Sequence, residues 1–160
     1  MKKKVNLGVV IAAVFITVFA VLLALFIYML NTSNKLREFK VDMFVLCNEA
    51  DLCVRDSDEG KIRIDSDNLI ALNSIIYGTR GYFTLGTPKT SEEITLDFDH
   101  QDDKWNMTIA RAGENRLMIE LEGPRKYKVY IKDNKKFEEI KKCVSKDGYH
   151  TANKLIGSKQ

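Results

Sequence analysis

Residues 8–30 (GVVIAAVFITVFAVLLALFIYML) carry no charged side chain, and beyond them the chain breaks into short segments in which apolar and polar positions alternate. At about 1.5 Å per residue the apolar stretch makes a helix of roughly 35 Å, enough to cross a hydrocarbon core about 30 Å thick. It runs on to Tyr28, Met29 and Leu30 with no small-x-small site at its end, which predicts an uncleaved transmembrane signal anchor rather than a removable signal peptide. The polar sequence that follows is too poor in apolar residues to wrap such a helix on every side. Residues 1–7 form a short basic stub with Lys2, Lys3 and Lys4, and across the apolar stretch stand Lys35, Arg37 and Lys40. The positive charge is nearly balanced, but a lysine stub directly before an apolar run predicts a cytoplasmic N-terminus and an outer location for residues 31–160. Gly8 with Ala12 and Ala20 with Ala24 have the small-xxx-small spacing that lets two such helices approach.

After a polar linker at residues 31–37, residues 38–148 read as one α+β domain and residues 149–160 as a C-terminal tail. Phe39, Val41, Met43, Val45 and Cys47 repeat with period two, predicting a strand that turns at 48–51 and returns along 52–55. The segment 56–60 (DSDEG) turns the chain into a short run, KIRID. Ser66 and Asp67 are helix-capping residues ahead of Leu69, Ile70, Leu72, Ile75 and Ile76, with Gly78 placed for a left-handed C-terminal cap. The stretch 79–85 (TRGYFTL) has no clear period, and 86–91 reads as a loop.

The strongest pattern follows. Ile94, Leu96 and Phe98, then Trp105, Met107 and Ile109, then Leu117, Ile119 and Leu121, then Tyr127, Val129 and Ile131 each alternate with polar neighbours, separated by turn sequences. This predicts a four-stranded antiparallel meander with one buried and one wet face. Phe137, Ile140 and Val144 then recur at helical spacing, predicting a C-terminal helix on the buried face. The expected class is therefore α+β: a transmembrane helix, a short helix, the meander and a closing helix. That order is analogous to a cystatin- or NTF2-like curved sheet or to a PH-like barrel, an analogy of shape that carries no function.

Length and composition narrow the functional classes. Of 160 residues, 45% are hydrophobic and 29% charged; setting aside the anchor and linker leaves enough chain for one domain with a real core, and excludes a multidomain enzyme or a multispanning transporter. The net charge of +3 hides an asymmetry, because residues 38–123 carry nine basic and eighteen acidic side chains whereas residues 124–160 carry eleven and four. Arg125, Lys126, Lys128, Lys132, Lys135, Lys136, Lys141, Lys142 and Lys146 either form a basic surface toward anionic lipid, an anionic envelope polymer or an acidic partner, or are neutralised by the acidic segment of the same chain. Without interleaved stacking aromatics beyond Tyr127 and Tyr130, this run does not point to nucleic acid.

Candidate chemistry is sparse. Asp97, Asp99, Asp102 and Asp103, with His100, gather oxygen and nitrogen ligands at one turn where a divalent ion could sit, although the glycine and closing glutamate of an EF-hand loop are missing. Cys47 and Cys53 would face each other across a hairpin and form a disulfide in an oxidising compartment, or be small core residues, with Cys143 left over beside the last helix. The TRGYF loop sets Arg80 between small residues and two aromatics, suited either to an anionic or sugar ligand or to core packing. His100 and His150 stand near no nucleophile motif, and no phosphate-cradling loop or cofactor fingerprint occurs. The tripeptides at Asn31 and Asn106 match the glycosylation sequon but are common by chance. The expectation is a bilayer-anchored, non-catalytic interaction or scaffolding module without a cofactor, on the outer side of the membrane, with a protein partner or self-association; the alternative is a ligand- or metal-binding domain built on the Asp97–Asp103 turn or the TRGYF loop.

Overall fold

The computed structural model describes residues 7–57, 60–84, 86 and 88–145. The stub, the tail, the turn residues Asp58 and Glu59, and Lys146 and His150 lie outside them, apart from Leu7. The elements in chain order are α1 (Leu7–Glu49), β1 (Leu52–Ser57), β2 (Gly60–Arg63), α2 (Ser66–Tyr77), β3 (Gly81–Tyr82), β4 (Thr90–His100), β5 (Asp103–Ala112), β6 (Leu117–Glu122), β7 (Lys126–Ile131) and α3 (Lys136–Cys143). The chain divides into two compact units, residues 1–35 and 36–160, and the division falls inside α1.

The first unit is the apolar part of α1. It is a helix long and apolar enough to span a membrane, and its strongly hydrophobic side chains are exposed along its length. The hydroxyl of Thr17 donates to the carbonyl of Ala13 at 2.9 Å, so its one hydroxyl is satisfied within the helix, as an apolar surrounding demands.

The second unit begins with a correction. Residues 31–37 are not a linker and residues 39–47 are not a strand, because both belong to α1. Its buried side chains are Phe39, Asp42, Met43, Leu46 and Cys47, while Val41 and Phe44 are exposed. That is a stripe at i, i+3, i+4, i+7 and i+8, one face of a helix. The expected hairpin between 39–47 and 52–55 is therefore absent, and β1 pairs instead with β2 and β4.

The sheet has seven antiparallel strands in the order β2-β1-β4-β5-β6-β7-β3. The four expected strands form its centre as a meander, extended by the β1–β2 hairpin on one side and by two-residue β3 on the other. Register places Leu96 opposite Met107, Met107 opposite Leu121, and Leu121 opposite Tyr127. All four are buried and belong to one core with the helix residues Phe39, Met43, Leu72, Ile75, Phe137 and Ile140. Strand alternation supplies one side of that core and the helical stripes of α1, α2 and α3 the other.

Two details of the helix ends differ from expectation. The N-cap position of α2 is Asp65, whose side chain makes no capping bond, and Gly78 is right-handed with φ of −70°. Gly123, in the β6–β7 turn, lies against the Trp105 indole so closely that no side chain fits there.

Candidate functional site

The acidic turn is dispersed by its own strands. Asp97 and Asp99 project from the same side of β4, and Asp97 accepts a 2.8 Å hydrogen bond from Asn106, its cross-strand neighbour. Asp99 pairs in register with Lys104, while Asp102 lies in the two-residue loop and Asp103 opens β5. The turn is fastened by other groups: the amide of Gln101 donates to Asp51 at 2.8 Å, and His100 Nδ1 lies 3.0 Å from the carbonyl of Glu49. Among the described residues no three His, Cys, Asp or Glu side chains are assembled to hold a metal ion.

The cysteines are likewise placed by packing. Cys47 lies in the last turns of α1 and Cys53 on β1, and with Cys143 they are free, buried thiols of the main core. Burial pushes the Cys53 thiol up to about 12, helped by the negative charge of Asp97, and pushes Cys143 up to about 11, helped by Glu139. Thiols so raised are almost wholly protonated at neutral pH and are poor nucleophiles.

Five of the eight described cations of the basic segment are drawn into ion pairs. Arg125 reaches Asp42 at 3.0 Å, Lys128 reaches Glu120 at 3.0 Å, and Lys126 pairs with Glu120 and Glu122. Lys141 pairs with Glu92, and Lys136 lies 3.4 Å from Glu139. Conversely, Arg111 from the acidic half pairs with Glu138 of α3. The two oppositely charged parts of the sequence thus neutralise one another within the domain. Of the eight described cations from Arg125 to Lys142, Lys132, Lys135 and Lys142 form no ion pair among the described residues, and the Lys132 ammonium sits 5.7 Å from the centre of the Tyr82 ring.

What remains open is a cleft of about 1010 Å³ where the α2–β3 connection, the end of β7 and the start of α3 meet. Its walls include Arg80, Tyr82, Arg116, Lys132, Asp133 and Lys136. The TRGYF loop therefore does two jobs. Gly81 fits between Val129 and Leu36 in a space too tight for a Cβ, Phe83 packs on the core, and Arg80 and Tyr82 line the cleft. Tyr82 also touches a small second cluster of Ala110, Ala112, Met118 and Tyr130 on the opposite side of the sheet. In the sequence Arg116 is only a polar position in the β6 alternation and Lys132 one of the basic run, and nothing there joins them to Arg80.

No protein family, curated protein or solved structure matches this chain.

Proposed function

We propose that the chain is a single-pass membrane protein whose α+β domain serves as a non-catalytic interaction module on the outer side of the membrane. The observation that carries this reading is the uninterrupted apolar surface of residues 8–30, where Phe15, Ile16 and Phe19 are 72%, 70% and 68% exposed. Apolar surface of that extent in water would drive aggregation, and a bilayer is the solvent that suits it. The domain's potential nucleophiles support binding over catalysis: Cys53 and Cys143 are buried and protonated, and the Tyr127 hydroxyl is spent on Asp42. Its paired charges hold its own parts together and leave the cleft by β7 as the polar concavity best supplied with unpaired cations.

Sidedness is tested by adding protease to intact cells producing the full chain with a C-terminal epitope. Loss of the epitope without lysis, while a cytoplasmic control protein survives, is the expected result. An epitope protected until the cells are lysed would place the domain inside and overturn the outer assignment.

A further inference from the structure

The register of the sheet brings together three cations that the sequence scatters from residue 80 to residue 132. Gly81 is opposite Ile131 and Leu117 is opposite Ile131, so Arg80, Lys132 and Arg116 each stand one residue beyond the paired ends of β3, β7 and β6, where continuing the register sets them in one row along the cleft they line. The row continues to Ala112, whose amide donates to the Arg116 carbonyl at 2.9 Å. By strand alternation it lies on the same face as Tyr82, Tyr130, Met118 and Ala110.

Farther along that face the rows are charge-balanced, with Lys128 against Glu120 and Lys126 against Glu122. In the terminal row there is no acid. Neighbouring strands are about 4.8 Å apart, so the three positive charges are spread over roughly 10 Å. Like charges directly opposite one another are unfavourable, and neither arginine forms an ion pair among the described residues. All three side chains are exposed and line the cleft. Arg116 and Lys132 also line an adjoining concavity of about 420 Å³, so the row stands between two hollows. In the next row inward, the hydroxyls of Tyr82 and Tyr130 are buried and find no hydrogen-bond partner among the described residues.

We propose that this row is a binding site for a phosphate-bearing anion, with Arg80, Lys132 and Arg116 as its contacts. A carboxylate presents two oxygens in one plane, which a single guanidinium fork saturates. A phosphate presents oxygens in several directions and can accept both forks and the ammonium together. Tyr82, beneath Lys132 and beside the cleft, offers an aromatic surface to the organic part of such a ligand. Asp133 is the one carboxylate in the wall among the described residues, and its Oδ1 accepts the Lys135 amide at 3.1 Å. The site rests on the domain acting as a binding module but not on which side of the membrane it lies, so the sidedness test can fail without touching it.

The experiment uses the full chain in nanodiscs and reads the domain's thermal midpoint. In one arm sodium tripolyphosphate is added to discs of zwitterionic lipid; in the other, phosphatidylglycerol replaces part of the lipid with no soluble phosphate present. Saturating ligand is expected to raise the midpoint by roughly 5 °C, and the Arg80→Gln/Arg116→Gln double variant to lose that rise. The Lys61→Gln/Lys104→Gln variant, which removes equal charge from β2 and β5 at residues that line neither hollow, is expected to retain it. Without ligand the arginine variant should unfold no earlier than wild type, since it relieves repulsion, and this separates loss of binding from loss of fold. A rise that depends on the arginines in the first arm marks a soluble phosphate compound; one confined to the second marks a lipid headgroup. No rise in either arm, or an equal loss in the lysine control, overturns the site.

Discussion

Asp42 and Tyr127, 85 residues apart in the chain, meet inside the domain through a 2.7 Å hydrogen bond from the phenol to the carboxylate. Asp42 is only 6% exposed although it is charged, and its other oxygen takes Arg125 at 3.0 Å. Around them Phe39 and Tyr127 pack edge to face with centroids 5.9 Å apart. A buried carboxylate is tolerable only when its oxygens are satisfied, so this cluster fixes how the 36–49 portion of α1 seats on the sheet.

Removing either partner should therefore cost stability. Tyr127→Phe is expected to lose about 1–2 kcal/mol and Asp42→Ala about 2–4 kcal/mol, read from urea unfolding of the full chain in detergent. The double variant should lose less than the sum, because each single change removes the same bond.

Alkaline pH should unfasten the same cluster. Burial pushes the Tyr127 hydroxyl up to about 12, and the hydrogen bond to Asp42 and its negative charge act in the same direction. A tyrosine in the unfolded chain ionises near 10, so between about pH 10 and 12 the folded state holds the proton more tightly and stability falls as pH rises. In Tyr127→Phe that part of the decline is expected to vanish. At the acid end the sign reverses. Glu92 is held below the ordinary carboxylate range by its hydrogen bond from Lys141 and by Arg111. For Glu120, burial acts upward, but hydrogen bonds from Lys128 and Lys126 outweigh it. Their contribution is present above the ordinary glutamate value of about 4.3 and lost as pH falls below it, and Glu120→Gln should flatten the acid limb of a stability–pH curve.

Gly123→Ala provides a packing test in the β6–β7 turn. A methyl group there would overlap the Trp105 ring, and relief requires moving a large, buried side chain. The expected loss is about 1–3 kcal/mol, accompanied by a change in tryptophan fluorescence that an alanine at exposed Gly86 should not produce.

The thiols give a reactivity prediction. Because Cys47, Cys53 and Cys143 are all buried and free, a maleimide should label the folded chain slowly at neutral pH from either side of the membrane. All three should label rapidly in denaturant without prior reduction. Rapid labelling of the native chain would show that the core around β1 and α3 opens readily.

The meander was legible because its strands alternate along most of their length from Ile94 to Ile131, the exceptions being Ala110, Ala112, Met118 and Tyr130, buried on the other face. The seating of α1 was not. In residues 39–47 seven of nine positions are apolar, so Phe39, Val41, Met43, Val45 and Cys47 satisfy period two while Phe39, Met43, Leu46 and Cys47 satisfy the helical period equally well. The structure is helical here, with Asp42 joining Phe39, Met43, Leu46 and Cys47 on the buried stripe and meeting Tyr127 far away on β7. Strand β3 has two residues, too few to show any period. The cationic row was hidden for a related reason: Arg80, Arg116 and Lys132 come from three segments and become neighbours only through strand register. The basic run at 125–142 is the more conspicuous pattern, yet five of its eight cations pair with Asp42, Glu92, Glu120, Glu122 and Glu139.

The anchoring of the domain is tested most directly by alkaline carbonate extraction of membranes from cells producing the full chain, beside a Phe19→Lys/Leu22→Lys variant. Each lysine near the helix centre opposes insertion by about 2.5–3.5 kcal/mol. The wild-type chain, with its full mass including residues 8–30, is expected to stay in the membrane pellet and the variant to move to the supernatant. A wild-type chain recovered in the supernatant, or shortened by removal of the apolar segment, would contradict the single-pass anchor.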